Sequence, residues 1–266
     1  MREKSERVQL PLPPKELRLL VSSGEESFWN NPSGRRLFPD LPESVDDSVL
    51  DFGCGCGRLA RQLLQQERPP RRYLGLDLHA GLVRWCTENL TPAARAFEFR
   101  HHDVFNLGFN PAGSRSPVAF PVGDGSVSLF VAWSVFTHLL EADASFYLRE
   151  LARVLRPGGV AVTTWLLFSK RDFPVMQEFQ NALFINDVDP TNAVYFDRDW
   201  LLGVLAAAGL VVSDVRPPGV RGFQWVLRLR HAGPGDCHAA FPADDAPLGL
   251  ARPPLLPDRP DLLGGG

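Results

Sequence analysis

Apolar positions between residues 48 and 168 fall into short runs that alternate with helical patterns. Five strands are predicted by the runs SVLDFG, RYLGLD, AFEFRHHD, SVSLFVAWS and VAVTTWLLF. Helices are predicted between them by RLARQLLQQ, AGLVRWCTENL and ASFYLRELARVLRPGG, the last of which is expected to end at Pro157-Gly158-Gly159. Strands that alternate with helices at this spacing pair in parallel, so the sequence predicts a doubly wound α/β sheet.

The end of the sheet has a different pattern. After the helical segment DWLLGVLAAAG, the apolar runs LVVSDV and FQWVLRLR are separated by only seven residues. This connection is too short for a helical crossover, so the two strands are expected to be antiparallel. Together the runs predict a mostly parallel seven-stranded sheet with an antiparallel last strand, a Rossmann-like architecture.

Three regions of different composition flank or interrupt this pattern. Residues 1–44 are dense in turn-forming residues and are expected to form an arm that covers the active site. Residues 45–231 form the main domain, in which residues 169–199 follow the fifth strand and are expected to act as a lid. Residues 232–266 are rich in Pro, Gly and Asp and are predicted to be a disordered tail.

Composition and charge restrict the class of protein. The 266 residues are 44% hydrophobic and 22% charged, with a formal net charge of −3, so neither nucleic acid nor an anionic membrane is expected as a partner. No apolar run approaches the roughly 18 residues of a membrane span. The N-terminal segment is charged where a signal peptide is apolar, and Cys54, Cys56, Cys86 and Cys237 lack paired spacing. We therefore expect a reducing, cytoplasmic setting.

The stretch VLDFGCGCGRLARQLL places Gly53, Gly55 and Gly57 between a predicted strand and a predicted helix. Glycine allows a sharp turn and lets a ligand approach the backbone closely, so this loop indicates a nucleotide-type site. Cys54 and Cys56 could instead belong to a metal site, but a structural zinc needs four ligands and the chain offers no second pair at suitable spacing. We interpret the two thiols as packing groups in the turn.

Acidic residues identify the kind of ligand. Asp51, Asp77 and Asp103 end successive predicted strands and should meet at the carboxyl edge of the sheet. A pyrophosphate would be repelled there, since two like charges about 4 Å apart interact by roughly 4 kcal/mol at an effective dielectric constant near 20. The third glycine also comes one residue too early for a dinucleotide fingerprint. S-adenosylmethionine carries a net positive charge and fits this rim, with its ribose toward Asp77 and its adenine toward Asp103.

Several ordered motifs carry a family resemblance: VLDFGCGCGR, YLGLDLHAGLV, HHDVF, FVAWSVFTHL and LARVLRPGGVAVTTW. In this combination the chain resembles the class I S-adenosylmethionine-dependent methyltransferases over residues 45–230, and most of all the small-molecule branch that includes quinone-biosynthesis methyltransferases. The resemblance implies a Rossmann-like methyltransferase fold and roles for individual residues. Those expected to hold the methionine end are Asp51, Gly53, Gly55 and Gly57, with Ser134 beside it. The ribose is expected to be held by Asp77 and Leu78, and the adenine by Asp103 and Val104.

The candidate general base is His138, in the segment SVFTHLL after the fourth strand, because the ordinary pKa of histidine suits proton removal from a hydroxyl. The alternative is that this histidine only packs the turn into the next helix. His101 and His102 are expected to be surface residues at the end of the third strand. Candidates for binding the methyl acceptor are Trp29, Arg36, Trp165, Tyr195 and Arg221.

These observations lead to one preferred hypothesis and two alternatives. The preferred function is in-line methyl transfer, without metal, from S-adenosylmethionine to an oxygen or nitrogen of a small molecule, by a monomer or homodimer. WSVF stands where nucleic-acid amino methyltransferases carry a proline-rich tetrapeptide, which argues against a nucleic-acid acceptor. The alternatives are a non-catalytic S-adenosylmethionine-binding or partner-binding module, and a nicotinamide-dependent oxidoreductase.

Overall fold

The computed structural model describes residues 10–219 and 223–242. The strands in these residues are β1 (Ser48–Phe52), β2 (Arg72–Asp77), β3 (Phe97–His101), β4 (Val127–Ala132), β5 (Leu155–Phe168), β6 (Ala182–Phe184), β7 (Val194–Asp197), β8 (Leu210–Arg216) and β9 (Trp225–His231). The α-helices are α1 (Lys15–Val21), α2 (Arg58–Leu64), α3 (Ala80–Asn89), α4 (Glu141–Val154) and α5 (Arg198–Ala207). None of these helices is both long and apolar enough to cross a bilayer.

The sheet follows the predicted order of parallel and antiparallel strands. Strands β3, β2, β1, β4 and β5 are neighbours in that order and all pair in parallel. Strand β9 is antiparallel to β5, and β8 is antiparallel to β9. The prediction of a mostly parallel sheet with an antiparallel last strand is therefore confirmed, and the seven predicted strands are all present.

Two further strands extend the sheet and were not predicted. Strand β5 pairs with β9 along 161–165 and then with β7 along 166–168, while β6 pairs antiparallel with β7. Both extra strands come from the segment expected to be a lid. They contain only three and four residues, too few to show a period of two in the sequence.

Helix α4 ends earlier than its sequence indicates. It was expected to reach Pro157-Gly158-Gly159, but its last residue is Val154 and Leu155 already has extended dihedral angles. A residue that precedes proline is disfavoured in the helical region, and Gly158 adopts a φ of +75°, so the chain leaves the helix before the proline.

Helices cover both faces of the sheet. Phe130 packs into a core cluster with α4 and α5 through Leu151 and Leu205. Its neighbours Leu129 and Val131 point to the other face and pack with α2 and α3. This alternation along one strand that is buried throughout is what a doubly wound sheet requires, and it leaves the carboxyl edge of the sheet for a ligand.

Two of the predicted acceptor-binding residues hold the N-terminal arm instead. Trp29 is fully buried, packs with Cys56 and Leu82, and donates its indole N–H to the Ser23 carbonyl at 2.9 Å. Arg36 pairs with Asp46 at 2.6 Å. The prediction that these two side chains contact the acceptor is wrong, because the Trp29 indole and the Arg36 guanidinium are already bonded within the N-terminal arm.

Trp165, another predicted acceptor-binding residue, lies in the core of the sheet. Its ring stacks on Phe136 at 4.3 Å, and its indole N–H donates to the Thr163 hydroxyl at 2.8 Å. The side chain is fully buried, so this prediction is also wrong. An aromatic residue in an apolar strand has the same pattern whether it faces a core or a cavity.

The predicted tail is partly ordered. The Ala239 amide donates to the Val212 carbonyl, and the Val212 amide donates to Nδ1 of His238. Phe241 packs edge-on against Trp225, with ring centroids 5.4 Å apart. Residues 232–242 thus lie against the antiparallel end of the sheet, and 243–266 lie outside the described residues.

Gly203, in the middle of α5, provides a test of the helix assignment. A Cβ added there meets no atom within 4 Å, so Gly203→Ala should raise the free energy of unfolding by about 0.5–1 kcal/mol. Gly158→Ala is the matched control, since its Cβ is equally free but its φ is +75°, and it should destabilise by about 1–2 kcal/mol. Urea denaturation measures both, and equal effects of the two substitutions would contradict this part of the fold.

Candidate functional site

A cleft opens at the carboxyl edge of the parallel strands. It consists of a main cavity and an adjoining side cavity, which share the lining residues Val21, Gly53, Gly55, Trp133 and Ser134. The segments that follow β1, β2, β3 and β4 all contribute to the main cavity. This is the place where open parallel sheets bind ligands.

The backbone of the glycine loop has a conformation that other residues rarely adopt. Gly53, Gly55 and Gly57 have φ values of +81°, +54° and +79°. A Cβ on Gly53 would lie 2.3 Å from Cγ2 of Val135, and one on Gly55 would lie 2.9 Å from Cγ1 of Val21. Side chains are therefore excluded here by sterics as well as by dihedral angles, and the loop presents bare backbone to the cleft.

Asp77 connects the end of β2 to this loop. One carboxylate oxygen accepts the Gly55 amide at 2.8 Å, and the other accepts the His79 amide at 2.8 Å. Burial raises the pKa of the carboxyl, and the two backbone hydrogen bonds oppose that shift. The carboxylate is thus fixed in position at the wall of the main cavity.

Asp51 lies on the other side of the loop and lines the side cavity. Its carboxylate accepts the Tyr73 hydroxyl at 2.5 Å. The pKa of Asp51 is raised to about 7, because burial outweighs the lowering by the hydrogen bond from Tyr73 and by the positive charge of Arg58. Arg58 lines the same cavity and donates to the Ser22 hydroxyl at 2.9 Å.

The cysteines around the loop are packing groups. The thiols of Cys54 and Cys86 both donate to the Gly55 carbonyl, each at 3.6 Å, and that of Cys56 donates to the Leu17 carbonyl at 3.5 Å. Burial raises the pKa of all three thiols, that of Cys56 to about 12. They are therefore protonated at neutral pH.

The end of β3 differs from its prediction. Asp103 is exposed, and its carboxylate accepts the side-chain amide of Asn110 at 2.9 Å instead of lining either cavity. His102, which was expected at the surface, is buried and lines the main cavity, with Nε2 2.8 Å from the Tyr147 hydroxyl. Burial lowers the pKa of His102 to about 4, so its ring is neutral.

His138 lies in a short 3₁₀ turn after β4 and lines the main cavity. Its Nδ1 is 2.9 Å from the Thr191 carbonyl, which belongs to the predicted lid. The Thr191 hydroxyl accepts the side-chain amide of Asn106 and donates to Asp189. A carbonyl can only accept, so Nδ1 carries the proton and Nε2 keeps its lone pair.

The turn after β4 contains the one non-glycine residue with positive φ among the described residues. Ser134 has a φ of +59°. Its amide donates to the Thr164 hydroxyl at 2.7 Å, and its hydroxyl hydrogen-bonds the Gln224 side chain at about 3 Å. Strained backbone held in this way is common at binding sites. Trp133, which precedes it, is 45% exposed and lines both cavities.

The structure brings together most of the residues predicted to bind the cofactor. Those that line the main cavity are Gly53, Gly55, Asp77, Leu78, Val104 and Ser134. Asp51 lines the side cavity, whereas Gly57, at the start of α2, and Asp103 line neither. Of the remaining acceptor-binding candidates, Tyr195 lies on β7 away from both cavities and Arg221 lies outside the described residues.

Sequence reasoning missed several cavity-lining residues, namely His102, Asn106, Phe109, Trp133 and Tyr147. The available signals were the position of Trp133 near the end of the predicted fourth strand and that of Asn106 shortly after the third. The carbonyl of Thr191 could not have been found at all, since every residue has one.

The buried carboxyl of Asp51 predicts a pH dependence of stability. An unfolded Asp titrates near about 3.9, and the folded pKa is about 7, so the folded state binds the extra proton between these values. The contribution of this one group to the free energy of unfolding is therefore lost as pH rises from about 4 to about 7. Asp51→Asn removes this group, so its stability relative to wild type should grow across that window and level off above it. Denaturant titrations at pH 4.5 to 8 measure the difference; a constant difference would contradict the shift.

Comparisons with known proteins agree with this geometry. A family model described as a methyltransferase domain matches residues 49–159. A malonyl-[acyl-carrier protein] O-methyltransferase of Dechloromonas aromatica is 31% identical over 47% of this chain and 38% of that protein. A probable S-adenosylmethionine-dependent methyltransferase of Mycolicibacterium smegmatis is 29% identical over 81% of this chain and 79% of that protein. The chain spans less than half the length of the first curated relatives that it matches.

One solved structure shows the same fold. It is the O-methyltransferase from a trans-AT PKS multienzyme of Brevibacillus brevis in complex with S-adenosyl-L-homocysteine. It matches with a TM-score of 0.54 at 13% identity, over 74% of this chain and 70% of that one. Residues 49–159 thus match a methyltransferase domain, and over most of its length the chain is similar to an S-adenosylmethionine-dependent methyltransferase.

Proposed function

We propose that this chain binds S-adenosylmethionine in the cleft and transfers its methyl group to an oxygen or nitrogen of a small molecule, without a metal ion. The observation that carries the proposal is the bare glycine loop, whose Gly55 amide is bonded to the buried carboxylate of Asp77. When bound, S-adenosylmethionine supplies a methyl carbon activated by a positively charged sulfur.

The residues of the cleft fit this cofactor in shape and charge. Gly53 and Gly55 line the main cavity, and because they have no side chains a ligand there can approach their backbone closely. Among the described residues that line the main cavity, Asp77 has the one charged side chain, and its charge is opposite to that of the cofactor. Each oxygen of Asp77 accepts one backbone amide and keeps a further lone pair for a ribose hydroxyl.

His138 supplies a base for an acceptor hydroxyl. Because Nδ1 donates to the Thr191 carbonyl, Nε2 is free to accept a proton. Asn106 and Asp189 hold Thr191 in place through its hydroxyl, so the lid segment orients the imidazole. The O-methyltransferase name of the Dechloromonas relative supports oxygen as the acceptor atom.

The arm and the lid enclose the acceptor in this proposal. Leu20 and Val21 of α1 line the main cavity, and Val21 lies directly over Gly55. Thr191 of the predicted lid contacts His138, which lines the same cavity. Positioning of the acceptor and exclusion of water by these two segments would supply much of the rate enhancement, since methyl transfer depends mainly on alignment.

Asp77→Ala should weaken the binding of S-adenosylmethionine by about 1–3 kcal/mol, the cost of leaving buried hydrogen-bonding groups without partners. Isothermal titration measures the change. Asp103→Ala is the matched control and should leave the affinity unchanged, because Asp103 is exposed and lines neither cavity. Thermal unfolding of both variants checks that they fold. Unchanged affinity in Asp77→Ala, or no binding to the wild-type chain, would refute the proposal.

The imidazole of His138 should be found in the tautomer with the proton on Nδ1, because that atom donates to a carbonyl. Nitrogen-15 NMR of histidine-labelled protein at pH 8 identifies the tautomer. His101 and His231 are internal controls that should show the other tautomer, with the proton on Nε2. Their Nε2 atoms lie 2.9 and 2.8 Å from the carbonyls of Leu78 and Leu155. A proton on Nε2 of His138 would remove it as the base.

A further inference from the structure

The charges around the main cavity restrict the acceptor. Nineteen residues line it, and Asp77 is the one carrying a formal charge; neither Lys nor Arg is among them in the part of the chain that the structure describes. Arg58, in the side cavity, already donates to Ser22 and faces the carboxylate of Asp51. An anionic acceptor in the main cavity would therefore find no cationic side chain to pair with, and when the cofactor product without the sulfonium charge is bound its burial is costly.

The mouth of the same cavity is apolar. Leu20 and Val21 of the arm, Phe109 after β3 and Trp133 after β4 all line the cavity and are partly exposed. Exposed apolar side chains that cluster at a concave site indicate a ligand that covers them. The acceptor is thus apolar over much of its surface.

Trp133 is the residue best placed to hold a flat acceptor. Its ring is 45% exposed and lines both cavities. The backbone beside it is fixed by the strained φ of Ser134 and by hydrogen bonds from Ser134 to Thr164 and Gln224. An aromatic side chain held rigidly at the mouth of a cavity loses little entropy on stacking against a ring.

The polar groups farther along the wall define the reacting end. Beyond the glycine loop and Asp77, His102 and Tyr147 hydrogen-bond each other, whereas His138 and Asn106 lie together through their shared partner Thr191. His138 offers Nε2 as an acceptor, so the matching group is a donor such as a hydroxyl. A phenol has a pKa near about 10, so it enters neutral and needs this base.

We infer that the methyl acceptor is an uncharged aromatic compound with a phenolic hydroxyl, whose ring stacks on Trp133 and whose hydroxyl points to His138; this inference rests on the proposed function. The acceptor oxygen gives its proton to Nε2 of His138 and forms a bond to the methyl carbon. The bond from that carbon to sulfur breaks with both electrons going to sulfur, so the products are a methyl aryl ether and S-adenosylhomocysteine.

The experiment compares two probes that differ only in the polar group. Protein saturated with S-adenosylhomocysteine is titrated with 4-phenylphenol, which is neutral at pH 7.5, and with biphenyl-4-carboxylate, which is anionic. We expect 4-phenylphenol to bind at least tenfold more tightly and, with S-adenosylmethionine, to be converted to 4-methoxybiphenyl. Equal or tighter binding of the carboxylate, or no binding of either probe, would overturn the inference.

Variants of Trp133 test the stacking role. Trp133→Ala should weaken the binding of 4-phenylphenol by about five- to hundredfold, the range expected for a lost aromatic stack. Trp133→Phe keeps a ring and should recover most of the affinity. Binding of S-adenosylhomocysteine to both variants shows that they are folded. Equal effects of Ala and Phe would refute the stacking role, whereas a wild-type chain that does not bind S-adenosylhomocysteine would refute the proposed function itself.

Discussion

The peptide group of Gly55 is held from both sides, and the cleft depends on this arrangement. Its amide donates to the Asp77 carboxylate, and its carbonyl accepts the thiols of Cys54 and Cys86. One residue is thereby tied to β2, to its own loop and to α3. A glycine loop without such ties would sample many conformations, and a ligand would have to select one of them at a cost in entropy. Here the backbone is already shaped before a ligand arrives.

The glycine loop is flanked by buried carboxylates, which water cannot stabilise. Burial raises the pKa of both Asp51 and Asp77, so the folded chain keeps these groups ionised only at a cost in stability. A positively charged ligand recovers part of that free energy, and since it binds only the folded state it also stabilises the chain. The electrostatics that favour the cofactor and the reduced stability of the empty cleft have the same origin.

The sequence was sufficient to predict the elements that repeat a strong pattern. The parallel strands and the crossing helices could be predicted because buried strands are continuous apolar runs and helices show a period near four. Strands β6 and β7 could not be predicted, because three or four residues are too few to show an alternation of apolar and polar positions. The sequence also does not show which way a side chain points at the end of a strand. His102 is buried and Asp103 is exposed, and the path of the chain in the following turn determines this difference. Trp29, Trp165 and Trp133 are the same residue type, yet only the last faces the cleft.

The cofactor side and the acceptor side of the cleft are built differently. The first uses backbone atoms and a carboxylate fixed by the fold, while in our proposal the second uses side chains from the arm and from the turn after β4, with His138 held by the Thr191 carbonyl. A crystal structure with S-adenosyl-L-homocysteine tests the central claim most directly. We expect the ribose hydroxyls on the Asp77 carboxylate, with the sulfur beside the Gly53 backbone. A ligand bound away from the glycine loop, or with its ribose remote from Asp77, would contradict the account.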